Sequence, residues 1–167
     1  MRKLNRPTSE RLALVRNQAT NLLWYGKIET TEAKAKEVRS YAEKILTLAI
    51  NTYEDTVKVT KNGVDAKGAK VKREVVNDGP KKLAARRKIM SMVYDIQEVR
   101  AEKESKADFV ARTKGINHPL VEKIFNEYAP KYAKRKETLG IGGGYTRMLK
   151  LGARNGDSAE MVIIELV

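Results

Sequence analysis

Apolar residues recur at three- and four-residue steps through the first third of the chain, and that period predicts two successive helices. Pro7-Thr8-Ser9-Glu10 marks the start of the first, with Thr8 or a neighbour able to cap free amides and Glu10 facing the positive helix end. Leu12, Val15, Ala19 and Leu22 form its stripe to about Tyr25, and Gly26 follows where a left-handed residue is wanted. Lys27-Ile28-Glu29 reads as a short extended piece. Thr30-Thr31 then caps a second helix reaching about Asn51, with Ala35, Val38, Ala42, Ile45 and Ala49 in step and Leu46 widening the face.

The rhythm breaks at Thr52. Thr56-Val57-Lys58-Val59-Thr60 alternates as a strand does, Asn62-Gly63 signals a turn, and Val71, Val75 and Val76 supply a return, so residues 52–79 read as a polar hairpin-like excursion. Asp78-Gly79-Pro80 opens a third helix, with Asp78 as its cap and Pro80 in its first turn. Leu83, Ile89, Met90 and Val93 lie apart there from Lys81, Lys82, Arg86, Arg87 and Lys88. Residues 94–115 are mixed, with a short helix around Phe109-Val110-Ala111. Asn117-His118-Pro119 restarts a helix carrying Leu120, Val121, Ile124, Phe125 and Tyr128, which Ala129-Pro130 is expected to stop. Two strand-like runs, Tyr145 to Leu151 and Glu160 to Leu166, joined by a turn-rich piece, predict a closing hairpin. The expected fold is α+β. Helices pack on one face of a small mixed sheet ending in that C-terminal hairpin, within a single domain of residues 1–167 in which 52–79 and about 94–115 are insertions.

Composition sharpens this picture through charge. Thirty-four Lys and Arg against 21 Asp and Glu leave a net charge of +13, and a soluble basic protein most often meets such an excess with polyphosphate. The cations are segregated. Residues 1–16 carry Arg2, Lys3, Arg6, Arg11 and Arg16 against Glu10 alone, and residues 131–154 carry Lys131, Lys134, Arg135, Lys136, Arg147, Lys150 and Arg154 against Glu137 alone. Residues 81–88 hold five cations, Arg86 and Arg87 among them, and no acid. Guanidinium and ammonium donors with Gly and Tyr between them suit a surface that tracks phosphates, the bland alternative being an evenly solvated cationic surface.

Catalytic chemistry finds little to stand on. Cysteine is absent, which removes disulfides, thiolate metal sites and thiol nucleophiles. A single His118 cannot build a histidine metal cluster, and its place before a proline suits a capping or surface role better than a general base. The run Gly140-Ile141-Gly142-Gly143-Gly144 leads into a strand-like segment without the Lys-Ser or Lys-Thr of a phosphate loop, so it reads as a loop against RNA or a linker. Trp24 suits packing more than base stacking. No catalytic residue, metal, cofactor, small-molecule substrate or membrane span is expected, and the expected location is the cytoplasm. A free-standing nucleic-acid regulator and an RNA-modifying enzyme remain as rival readings.

Arg2-Lys3-Leu4-Asn5-Arg6, Arg11-Leu12-Ala13-Leu14-Val15-Arg16-Asn17, Lys27-Ile28-Glu29-Thr30-Thr31 with Ala33-Lys34-Ala35-Lys36-Glu37-Val38-Arg39, the Val121 to Leu139 segment around Phe125-Asn126-Glu127-Tyr128-Ala129-Pro130, and the ending from Gly143-Gly144-Tyr145-Thr146-Arg147 through Gly152 to Leu166 together resemble the bacterial large-subunit ribosomal protein seventeen family. The likeness covers about two thirds of the chain in order. It implies a structural constituent of the large ribosomal subunit near the polypeptide exit, bound to large-subunit ribosomal RNA and neighbouring ribosomal proteins. By position it implies RNA contacts at Arg2, Lys3, Arg6, Arg11, Arg16 and Asn17, at Lys34, Lys36 and Arg39, and at Tyr145, Arg147, Lys150 and Arg154. The leader is shorter than the Arg-His-Arg-Lys form common in that family, so part of the N-terminal anchoring is expected to be missing. Charge reversal at Arg147 and Arg154 is expected to matter more than at Lys67 in the excursion.

Overall fold

The most regular stripe in the sequence becomes the most enclosed element. In a computed structural model that describes residues 2–64 and 70–167, helix α2 (Glu32–Ile50) buries Ala35, Val38, Ala42, Ile45, Leu46 and Ala49 completely. Its two halves face different neighbours. Ala35, Val38 and Ala42 pack with Ala19 and Leu22 of α1 (Thr8–Tyr25) over Val162 and Ile164, and the short alanines let the two helices approach. Ile45, Leu46 and Ala49 enter a second cluster with Ile89 of α3 (Pro80–Met92), Leu120 of α5 (Pro119–Lys123), Ile124 and Phe125 of a π-helical turn (Ile124–Tyr128), and Tyr132 of α6 (Ala129–Leu139).

Beneath α1 and α2 lies a three-stranded sheet of β1 (Lys27–Thr31), β4 (Thr146–Ala153) and β5 (Glu160–Leu166) in the order β1-β5-β4. Gly26 turns the chain from α1 into β1. It takes φ +81°, which a side chain would resist, and its amide donates to Leu22 O at 2.8 Å. The pairs Ile28↔Ile164, Thr30↔Val162 and Met148↔Ile164 set one face toward the helices, and Arg147, Leu149, Ile163, Glu165, Lys27 and Glu29 project from the other. The α+β class expected from the sequence is the one observed, with helices on one face of the sheet. Both described sheets are antiparallel throughout, however, where a mixed sheet was expected: β5 is fed from β4 by a short turn and runs back along β1, Leu166 donating to Gly26 O at 2.8 Å.

Several local expectations are corrected. Leu12 is 45 % exposed, so the buried stripe of α1 begins at Val15. Neither Thr8 nor Thr31 makes a capping bond, and Pro7 holds the N-cap position of α1. Asn62 and Gly63 are not a turn but pair with Lys72 and Val71 inside a longer ribbon of β2 (Thr56–Val64) and β3 (Lys70–Asp78). Residues 65–69, Lys67 among them, lie outside the described residues. In α3, Ile89 and Val93 are buried as expected, whereas Leu83 and Met90 remain exposed. The helix from Pro119 does not stop at Pro130. Ala129 N–H reaches back five residues to Ile124 O, and this widened turn admits Pro130 into the first turn of α6, where no donor is needed. Between α3 and α5, residues 94–105 run as coil and turn to α4 (Lys106–Thr113), the short helix expected around Phe109, which starts on a Ser105 hydroxyl accepting Asp108 N–H at 3.1 Å.

Asp78 does not cap α3 either. It is held by Lys82 and Arg86, at 3.2 and 2.7 Å. The capping carboxylate is Asp55, which accepts from Lys81 N–H at 2.8 Å and Lys82 N–H at 3.2 Å while its carbonyl accepts from Gly79 N–H at 2.8 Å. This arrangement needs a glycine at 79, since a Cβ there would lie 2.4 Å from the Asp55 carboxylate. Asp55→Ala is expected to lower stability by about 1 kcal/mol, read from the urea midpoint. Gly79→Ala should destabilise the native protein but cost clearly less in the Asp55→Ala background, because the atoms it clashes with are gone.

Candidate nucleic-acid interface

Three acids on α2 take partners from their own helix and from distant parts of the chain. Glu37 Oε1 accepts the Arg2 amide at 2.9 Å, drawing in the basic leader. Glu32 Oε1 holds Lys36 at 2.9 Å and faces Lys150 of β4 at 3.8 Å. Glu43 Oε1 accepts from the Thr146 hydroxyl at 2.7 Å and from Arg39 Nε at 3.4 Å. Arg2 and Lys150 thus both lie within electrostatic reach of Glu32 beside the first half of α2, on the helix that also carries Lys36 and Arg39. The Glu32 carboxyl is held below the usual carboxylate range by its bond to Lys36 first, then by the charges of Lys150 and Lys36, with Arg2 adding to them.

These pairs position the cations without consuming them. The side chains of Lys36, Arg39 and Lys150 are 46, 44 and 70 % exposed, and ion pairs so open to water are worth about 0–1 kcal/mol and exchange readily for a phosphate. Arg147 Nε donates to Glu165 at 2.8 Å across the outer sheet face, and Arg154 Nε to Asp157 at 2.9 Å in the β4–β5 turn. Asp157 is pulled down to about 2, chiefly by the bond from Arg154. Arg6 stands 3.6 Å from Glu10. Lys3, Lys34 and Arg87 form no ion pair among the described residues.

Other expected contacts have visible duties inside the protein. Arg11 is half-buried with an Nε that has no partner among the described residues, Arg16 lies over the Tyr94 ring at 5.4 Å, and Asn17 accepts from the Asn21 amide at 3.2 Å. Arg6, Asn17 and Tyr94 edge an open groove along α1. Arg86 is clamped between Asp78 and Glu122 over the Phe125 ring. Lys131 stands over Tyr132. Arg135 donates to Gly143 O at 2.8 Å and Gly144 O at 3.1 Å while covering the Tyr132 and Tyr145 rings, so the glycine run is tied to α6. Tyr145 is only 6 % exposed and packs on Tyr132, 4.8 Å between centroids. Trp24 lies under Lys123, whose Nζ donates to its carbonyl at 2.8 Å, and His118 stands 3.3 Å from Asp95.

Weighing cations alone missed the acids that arrange them. The i,i+4 pairs Glu32–Lys36 and Arg39–Glu43 could have been read from spacing; Glu37 with Arg2 could not, because that contact exists only in the fold. Among the described residues no group of three His, Cys, Asp or Glu could hold a metal ion, and no helix is long and apolar enough to cross a membrane.

The family model for ribosomal protein L17 matches residues 14–167. This chain belongs to the ribosomal protein L17 family. Its relatives include proteins named large ribosomal subunit protein bL17 from Acetivibrio thermocellus, 39 % identical over 190 residues, and from Lachnospira eligens, 40 % identical over 185; each alignment covers 99 % of this chain and 98 % of the relative. The protein of that name from Ruminiclostridium cellulolyticum is 43 % identical over 192 residues with the same coverage. The family is a structural one, so the chain is not an enzyme.

Tyr132, beneath Arg135, has a buried hydroxyl without a partner among the described residues, and its ionisation is pushed up to about 12 by burial first and by Tyr128. A neutral phenol is therefore favoured in the folded state. That contribution is intact below the ordinary value near 10 and lost as pH rises from about 10 through 12. Tyr132→Phe is expected to hold or raise neutral-pH stability by up to about 1 kcal/mol, and to flatten the alkaline decline, read by urea unfolding at stepped pH.

Proposed function

We propose that this chain, as a structural constituent of the bacterial large ribosomal subunit, binds and bridges large-subunit ribosomal RNA near the polypeptide exit. The observation that carries the reading is the meeting of the leader, α2 and β4 cations beside Glu32, Glu37 and Glu43. A surface assembled from sequence-distant elements presents its charges in a fixed array, which a flexible basic tail does not. Phosphate oxygens replace the carboxylates at Lys36, Arg39, Arg147, Lys150 and Arg154 as the protein docks. Shape and backbone geometry of the RNA dominate over base identity, because Tyr145, the aromatic expected at the interface, is packed inside. The RNA and the neighbouring ribosomal proteins are the partners, and the bacterial cytoplasm is the setting.

Sedimentation of a cell lysate at moderate salt tests the assignment: the protein should travel with large subunits, and a wholly soluble distribution would refute it in favour of a free-standing regulator. Lys36→Glu with Lys150→Glu, and Arg147→Glu with Arg154→Glu, are each expected to cut incorporation into large subunits at least tenfold relative to the native chain. With about eight phosphates engaged, affinity for the RNA should fall by roughly 10⁴ between 50 and 200 mM salt.

A further inference from the structure

The β2–β3 ribbon stands apart from the patch around α2. Its strands pair from Thr56↔Asp78 to Val64↔Lys70, a reach of roughly 30 Å, and among the described residues no third strand joins them. The root is fastened: Gly79 donates to Asp55 O, and Asp78 is held by Arg86 and Lys82. A two-stranded ribbon on its own is marginal in water and leaves both edges unpaired. Lysines on such a ribbon can serve simply to prevent edge-to-edge aggregation.

Their placement argues for more. The acids Glu74 and Asp78 lie in the root half, opposite Thr60 and Thr56. The outer half, residues 61–64 paired with 70–73, carries Lys61, Lys70, Lys72 and Arg73 and no acid. The described side chains of these four cations are exposed. Lys61 pairs with Arg73 on one face and Lys72 with Asn62 on the other, so positive charge surrounds the ribbon where it is farthest from the body. Protection against aggregation needs charge anywhere along an edge; here the root half carries one cation, Lys58, beside two acids, whereas the outer half gathers four, a bias that an anion beyond the body requires. Residues 56–78 contain no Phe, Tyr or Trp, and so no platform for the stacked bases of a single strand. Gly63 adds a stretch of backbone that a groove wall can approach closely.

We propose that the outer half of the β2–β3 ribbon is a second RNA-binding element, an arm that grips the sugar-phosphate backbone of double-helical RNA. This rests on the reading that the protein's partner is RNA, and it assigns to the ribbon a contact separate from the α2 patch. The full-length protein is titrated with an RNA duplex of about 20 base pairs, long enough for two successive minor grooves, at several salt concentrations. Lys61→Gln with Lys72→Gln should weaken binding about tenfold and reduce the slope of log K against log salt by about 2. Lys61→Arg with Lys72→Arg should bind as the native chain does, which separates lost charge from a disrupted ribbon. Backbone amides of β2 and β3 should exchange more slowly when the duplex is present. If the Gln pair binds the duplex with native affinity and slope while Lys36→Glu with Lys150→Glu does not, the arm is overturned and the α2 interface stands. If the Gln pair binds the duplex normally but no longer enters large subunits, the ribbon meets a protein and the proposal is likewise overturned.

Discussion

Burial of α2 on two sides is the constraint from which the rest follows. A helix that gives Ala35, Val38 and Ala42 to a sheet and Ile45, Leu46 and Ala49 to a helical cluster cannot shift along its axis without opening both. Deleting a buried side chain as large as Ile45 costs about 2–5 kcal/mol in comparable cores, a large part of the 5–15 kcal/mol that keeps a domain folded. That rigidity reaches the surface directly, because the half-buried acids and exposed cations of the candidate interface stand on the same helix. Core and charged patch are two sides of one element.

Electrostatics then presents an apparent contradiction, since a protein carrying +13 sets three glutamates in the surface proposed to bind an anion. The geometry resolves it. Without RNA, Arg2, Lys36, Arg39 and Lys150 would repel one another across a small area, and Glu32, Glu37 and Glu43 lower that repulsion while fixing where each strand and helix carries its charge. Because the pairs are open to water, giving them up costs little. Arg86 and Arg135 show the other regime: one is clamped between two carboxylates and the other tied to loop carbonyls, and both hold elements together.

Much of this was legible in the sequence. Period set the bounds of α1 and α2 almost to the residue, and alternation set the closing hairpin, because both signals are local. The corrections lie where distant residues decide. Asp78 looked like the cap of α3 until the fold brought Asp55 to the same amides and Arg86 to Asp78. Asn62-Gly63 has turn chemistry, yet the register carries both residues into a strand. Pro130 ends a helix on steric grounds unless a π-helical turn intervenes, and nothing local in the sequence announces one. For the candidate interface, the charge-rich segments could be read directly, but their convergence could not. Tyr145 in particular reads as an exposed aromatic among glycines and is instead a core ring.

The strand order has a temporal consequence. β5 occupies the middle of the sheet although it follows both of its neighbours in the chain. During synthesis β1 and β4 exist before the segment that must lie between them, so Val162 and Ile164 complete the floor under α2 only after both neighbours have been made. Until then the leader has its anchor on α2 but Lys150 has no fixed place beside it. A nascent chain therefore cannot display the full charged array before β5 has been made and seated between its neighbours.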